Sequence, residues 1–216
     1  MQVISVNVGK ATELGKPRGT TLTGIFKEPV SGPVGFEPEG VAGDFIGWRK
    51  GHGAPARAAY LYPREHYAGW CAFFRTDGLP DGYLGENLTT EGLTEATVAI
   101  GDRLRIGEAE LLATCPRTPC ATFTARVGNG KAGSFMMDRG WTGIYFAVTK
   151  PGPIRAGDRI EVLERDPAGI PVSACVAALA KRGTPDLLAR LVAHPVLPDD
   201  LRRTLKRMQD RESMAG

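Results

Sequence analysis

The sequence predicts a mainly β, barrel-like domain with a few short helices over residues 1–168, followed by a small three-helix appendage over 169–216. Three observations predict this division. Short apolar segments sit between glycine and proline turn signals through the first 170 residues of a chain with 28 Gly and 16 Pro, as an all-β or barrel-like domain demands. The opening MQVISVNVGK alternates like a strand. After about residue 170 glycine thins out and the periodicity becomes helical. At 216 residues and 42% hydrophobic content, the chain can bury about 70% of its unfolded surface, enough for one main domain and an appendage.

The elements follow in order. The first strand carries Ile4, Val6 and Val8 on one face. A strand is expected around Leu22 to Lys27, ending at Pro29. Tyr62 to Phe74 reads as a helix with Pro63 in its first turn and Tyr67, Trp70, Phe73 and Phe74 at helical spacing, a core-packing face. Residues 97–114 read as a strand, a tight turn at Gly101-Asp102, a second strand with Leu104 and Ile106 on one face, a turn at Gly107-Glu108 and a third strand. GDRL at 101–104 returns as GDRI at 157–160, each opening a short apolar strand, which suits turns in one sheet. Residues 124–138 can hold a short helix, and the aromatic, β-branched 141–149 reads as a buried strand. In the appendage Thr184 can cap the second helix with Pro185 at its first position. Leu201, Leu205 and Met208 line one face of the third, opposite a face rich in arginine and lysine. So small a unit needs the main domain or a partner subunit to cover its apolar face, and a homodimer is one expected assembly.

Charge and composition exclude several classes. The net charge of +3 is mild and mixed along the chain, without the basic stripe that a nucleic-acid duplex requires. No apolar run approaches a membrane span, and the opening residues lack a signal-peptide pattern, so cytoplasmic residence is the default. Thiols there stay reduced. Cys71, Cys115, Cys120 and Cys175 make no disulfide framework, and one C-x4-C with scattered His52, His66 and His194 is poor spacing for zinc.

The chemistry-bearing segments are few. In CPRTPC, Pro116 and Pro119 disfavour helix at the residues before them, giving a stiff loop that leaves a strand. Arg117 keeps its charge and would favour the thiolate of a neighbouring cysteine. On spacing alone Cys120 is a nucleophile, a soft-metal ligand or a buried structural cysteine. His52 and Arg57 lie in a glycine- and proline-containing segment that reads equally as a surface loop. Gly85-Glu86-Asn87 could present backbone N–H groups and an amide to an anion or heterocycle, or form an ordinary turn.

In combination and order these segments resemble one family. The carrying residues are VAGD (41–44), HGAPARAAYLYPREHY (52–67), GENLTTEGLTE (85–95), IGD (100–102) and PRTPC (116–120). The chain resembles the MOSC family, the molybdenum cofactor sulfurase C-terminal domain proteins, in its YiiM-like branch, and the helical tail resembles the three-helix unit of that branch. The resemblance implies a barrel-like domain that binds the molybdenum cofactor, a pyranopterin dithiolene with a terminal phosphate. It implies that Cys120 is the protein thiolate on molybdenum and that the substrate is a small N-hydroxylated or N-oxygenated compound, such as a hydroxylaminopurine or amidoxime. Lys27, His52, Arg57 and Arg117 are then the candidate cations for the phosphate, while Asn87 and Thr118 can hydrogen-bond the pterin edge or the phosphate. Two positions depart from the pattern. Cys115 stands where glutamine is common, and could pair with Cys120 and block the metal. Ala54 stands where a second glycine is common.

Three functions compete at this level. In a molybdenum-dependent reductase, an external electron-donor protein supplies electrons, since neither an iron–sulfur cysteine set nor a dinucleotide-binding strand–G-x-G-x-x-G–helix unit is read. In a sulfur or cofactor carrier, Cys120 holds a persulfide that Cys115 resolves. In metal-free thiol chemistry, Cys120 is the nucleophile and His52 the base.

Overall fold

The structure, a computed structural model, describes residues 1–16, 19–47 and 55–215. His52 and Ala54 lie outside the described residues. Its centre is an eight-stranded sheet in the order β13-β9-β10-β11-β7-β8-β1-β4, antiparallel except for the parallel β7–β8 pair. These strands are β1 (Gln2–Gly9), β4 (Lys27–Pro29), β7 (Ala59–Pro63), β8 (Leu88–Glu91), β9 (Arg103–Ile106), β10 (Ala109–Pro116), β11 (Ile144–Lys150) and β13 (Ile160–Glu164). The sheet curls without closing. Its far edge meets β1 through the amide of Val3 on Asp158 O (2.9 Å), of Gly157 on Val3 O (2.8 Å) and of Ile160 on Met1 O (3.1 Å). A hairpin of β2 (Thr12–Lys16) and β3 (Gly19–Thr23) and a small sheet of β5 (Val34–Glu37), β6 (Gly40–Val41) and β12 (Gly152–Ile154) complete the β structure. The fold is therefore mainly sheet and barrel-like, as the turn-punctuated sequence predicts.

Local chemistry explains where elements begin and end. A register shift between Val3 and Ser5 makes Ile4 the extra residue of a bulge. Val3 and Val6 consequently face the core while Ile4 and Val8 are half-buried, correcting the single face expected for Ile4, Val6 and Val8. The strand expected from Leu22 to Lys27 breaks into β3 and β4, because the Thr23 hydroxyl captures the Ile25 amide at 3.2 Å and Lys27 N turns back onto Ile25 O at 3.0 Å. Residues 97–100 form turns rather than a strand, although Val98 and Ile100 are buried. The buried Asp102 carboxylate there takes the amides of Ala99 (3.0 Å) and Asp166 (2.9 Å), and the loop's main chain pairs only through a single antiparallel bridge between Ala99 and Pro171. The two GDR turns open β9 and β13, which are neighbours in the sheet.

The expected helix from Tyr62 begins later. Tyr62 and Pro63 end the buried β7, one 3-10 turn follows over Arg64–His66, and α1 spans Tyr67–Phe74. Proline holds the residue before it extended, which favours the strand. The expected helix in 124–138 is two, α2 (Ala121–Val127) and α3 (Ala132–Arg139), separated after the left-handed Gly128 at φ 64°. GNGKAG at 128–133 has G-x-G-x-x-G spacing, yet it joins two helices and lacks the strand that such a fingerprint needs. Fully buried Trp70 of α1 packs against Phe74, Phe123 and Phe135, pinning these helices together.

The tail comprises α4 (Val172–Leu179), α5 (Pro185–Ala193) and α6 (Asp199–Ala215). Thr184 caps α5 through the Leu187 amide at 3.2 Å with Pro185 behind it, as expected. Leu201 and Leu205 are buried and Met208 half-buried. The barrel covers the tail: α4 packs on β10, and the amides of Val172 and Ser173 bond Val98 O and Glu95 O at 2.9 and 2.8 Å. His194 Nε2 meets Asp166 Oδ1 at 3.2 Å.

Three glycines let main chains touch directly beside the β2–β3 hairpin. A Cβ on Gly9 would overlap Gly24 O, one on Gly24 would overlap Phe45 O, and one on Gly47 would overlap Leu22 O. Gly24→Ala should therefore cost at least ~2 kcal/mol in urea unfolding, while Gly78→Ala, whose methyl meets nothing within 4 Å, should leave the midpoint almost unchanged.

Candidate functional site

A cleft of about 340 Å³ opens between the β3–β4 connection, residues 44–47 and the loop after β10. Lys27, Arg57, Asn87, Arg117 and Cys120 all line it, so the fold converges five residues predicted from four separate segments. Thr118 is exposed and is not among the lining residues, and His52 lies outside the described residues. Asp44, Tyr60 and Tyr145 also line the cleft and were not singled out as site residues in the sequence. The signal for Asp44 was the VAGD motif that ends on it.

Cys120 is presented by the stiff loop the prolines predict. β10 runs to Pro116, residues 117–120 are irregular, and Cys120 is extended at φ −137°, ψ 166° before α2 begins. Its carbonyl receives the Thr124 amide at 3.1 Å, and its side chain is half-buried in the cleft wall. Cys115 is different. It is fully buried in β10, is absent from the cleft lining, and burial pushes its thiol pKa up against the opposing pull of Arg57. All four cysteines are free thiols.

Arg117 is 4% exposed, and its guanidinium lies over Tyr60 and Phe123, 4.9 and 4.8 Å from the ring centroids. Nη1 donates to Leu84 O, while Nε is buried without a hydrogen-bond partner. Burial opposes its charge, but Tyr60, Tyr145 and Cys120 around it favour the cation and leave its pKa raised. A buried guanidinium that lines the cleft and is held over aromatic rings suits an anion. Arg57 lies beyond Tyr145, 5.9 Å from that ring centroid, and Nη2 donates to both carboxylate oxygens of Asp200, at 3.0 and 2.8 Å. Asp200 stands in the first turn of α6, so the tail reaches a residue of the cleft.

Another part of the lining is organised by Asp44. Its carboxylate accepts Lys27 Nζ at 2.5 and 2.6 Å, Asn87 Nδ2 at 3.1 Å and the Gly9 amide at 2.7 Å. The Lys27 and Asp44 side chains are only 8% and 6% exposed. Burial lowers the Lys27 pKa, with Asp44 opposing that fall. Asn87 is committed to the same wall: Oδ1 accepts the Tyr60 amide at 3.2 Å and Nδ2 also reaches Asn7 O at 3.4 Å. Glu86 points away from solvent entirely. Its Oε1 accepts from the Tyr67 hydroxyl, the Gly82 amide at 3.0 Å and the Thr89 hydroxyl at 3.0 Å, while Oε2 is buried without a partner. Burial raises its pKa despite those donors.

Two outcomes are expected. Ionising Glu86 is harder in the folded than in the unfolded chain, so stability should fall as pH rises from about 4.3 through the raised folded value. Glu86→Gln should remove that slope in urea titrations, gaining on wild type as pH increases. A double-mutant cycle on Arg57→Ala and Asp200→Ala should give a coupling of ~0.2–1 kcal/mol, because Asp200 is 58% exposed.

Among the described residues no group of three or more His, Cys, Asp and Glu side chains could hold a metal ion, and no helix is long and apolar enough to cross a membrane. The MOSC domain family model matches residues 49–161. The chain is 36% identical over 170 residues to the uncharacterized protein YflK of Bacillus subtilis (79% of this chain, 76% of the relative). It is 34% identical over 166 residues to YiiM of Escherichia coli (75% and 72%). A protein named reductase from Gibberella moniliformis is 32% identical over 170 residues, 76% of this chain but only 29% of that longer protein. Crystal structures of YiiM from Geobacillus stearothermophilus and Escherichia coli superpose with TM-scores of 0.80 and 0.77 at 26% and 27% identity, covering 95% and 98% of this chain and 97% and 94% of theirs. The motifs, the curled sheet and the shared sequence agree: the chain belongs to the MOSC domain family, associated with the molybdenum cofactor, in its YiiM-like branch.

Proposed function

We propose that this protein is a molybdenum-cofactor-dependent reductase of N-hydroxylated or N-oxygenated small molecules, with the Cys120 thiolate as the protein ligand to molybdenum. The observation that carries the reading is the presence of Cys120 and the buried Arg117 guanidinium in one cleft lining, with the guanidinium held over aromatic rings. The name of the Gibberella relative supports the reaction class.

The residues present fit the cofactor. A cleft of about 340 Å³ lies within the range of small-molecule sites. One accessible sulfur is all the protein must contribute to a soft metal that a dithiolene already holds. Arg117 suits the terminal phosphate, and its planar fork can grip that group through two donors. When bound, the cofactor supplies the redox chemistry, and an external donor protein restores its electrons.

This chain's own residues bind, orient and hold protons. Reducing an N–hydroxyl group to an amine releases water and consumes protons as well as electrons. Lys27 can hold a proton at Nζ on the wall facing the ligand, whereas Tyr145, pushed up to about 12 by burial, is a poor donor at neutral pH. Leu22, Phe45 and Ile46 add apolar surface to the lining, which suits a flat heterocyclic substrate. Burial of Cys115 outside the cleft weighs against the sulfur-carrier reading, which needs a second thiol able to reach Cys120.

Cys120→Ala and wild type, produced in a host that makes the cofactor, should separate in molybdenum content and in hydroxylamine reduction, with both lost in the variant. Reduction that persists in the alanine variant without bound molybdenum would sink the reading, and a persulfide on wild-type Cys120 without molybdenum would favour the carrier.

A further inference from the structure

We propose that Asp44 is the positioning residue of this cleft, holding Lys27 as an ammonium and aiming the Asn87 amide, so that a ligand meets a charge-balanced wall there and a cationic wall at Arg117. The inference rests on the reading that the cleft holds the ligand, and adds to it the direction in which the ligand lies.

The geometry supports a specific role. Four hydrogen bonds from three separate segments converge on one carboxylate: two from Lys27 at the start of β4, one from the Gly9 amide at the end of β1, and one from Asn87 before β8. Both oxygens contact the ammonium within 2.6 Å, the arrangement of a fully formed ion pair. A lysine this buried would shed its proton without a counter-charge. The charged groups around Lys27 are Asp44, Glu86 and Arg117: Glu86 also favours the ammonium, Arg117 opposes it, and Asp44 is the strongest favourable partner.

This pairing divides the cleft. Lys27 and Asp44 cancel, so the wall they share with Asn87 offers donors and acceptors without net charge. Arg117, in the same lining, has aromatic rings and a carbonyl around it instead of a carboxylate partner. A ligand with one anionic end and one uncharged heterocyclic edge therefore lies with the anion at Arg117 and the edge at the Lys27–Asp44–Asn87 wall.

The experiment is side-chain 15N NMR on the cofactor-free protein, following Lys27 Nζ with pH and assigning it by its loss in Lys27→Met. In wild type Lys27 should be charged at neutral pH. In Asp44→Asn its titration midpoint should fall by more than about one pH unit, and in Asp44→Glu it should recover most of that fall. An unchanged midpoint in a folded Asp44→Asn protein overturns the proposal. If that variant fails to fold, wild type alone decides, because a neutral Lys27 amine at neutral pH overturns it too. No cofactor enters the measurement, so failure of the molybdenum reading, seen as absent metal, is distinguishable from failure of this one.

Discussion

The arrangement of the cleft depends on one buried carboxylate. Asp44 ties the end of β1, the start of β4 and the Asn87 amide to one point. Asn87 in turn bonds the Tyr60 amide on β7 and Asn7 O on β1, so the same network joins the parallel β7–β8 pair to its antiparallel neighbour β1. Burying Lys27 and Asp44 apart would be prohibitive, whereas buried together with every strong partner satisfied they are tolerable and fix geometry. The cleft wall is thus held by polar bonds whose directions are fixed, while the apolar core beneath supplies most of the stability.

A different logic governs the Cys120 wall. There β10 delivers the chain to the rim, two prolines stiffen the four residues that follow, and aromatic faces rather than a carboxylate surround Arg117. Cation–π contact leaves a guanidinium's hydrogen-bond donors available to an incoming anion, which an ion pair would not. Arg57 completes this side with a link to Asp200 on α6, so the tail touches the cleft's charge balance and does more than cover the barrel.

Much of this was legible in the sequence, and the gaps have physical causes. Turn signals and composition gave the barrel-like architecture and the helical tail, and Thr184–Pro185 marked the start of α5. Motifs contain Cys120, Arg117, Arg57 and Asn87, Lys27 stands at an expected strand end, and all five line one cleft. The alternation of Ile4, Val6 and Val8 misled because a bulge shifts the pattern by one residue, and pattern alone does not reveal bulges. Val98 and Ile100 look like strand residues because both are buried and their main chains bond Val172 N and Ile170 O, but that pairing is a single bridge at Ala99–Pro171 rather than a strand. Asp44 ends the VAGD motif without declaring a role: an aspartate in a glycine-containing turn resembles any other until its distant partners Lys27 and Asn87 are known. The burial of Cys115 likewise follows from which face of β10 turns inward, and a loop next to a strand does not disclose that.

The glycine contacts beside the hairpin bear on how such a cleft can diverge. Where Gly24 meets Phe45 O and Gly47 meets Leu22 O, the wall is bare main chain packed on main chain. At those two contacts there is no side chain to exchange, so mutation cannot reshape them one residue at a time. New ligand preferences have to arise at the rim, where Leu22 is half-exposed, or by moving whole strands. The glycine contacts are fixed as backbone, and variation falls to the side chains around them, such as Phe45 and Ile46.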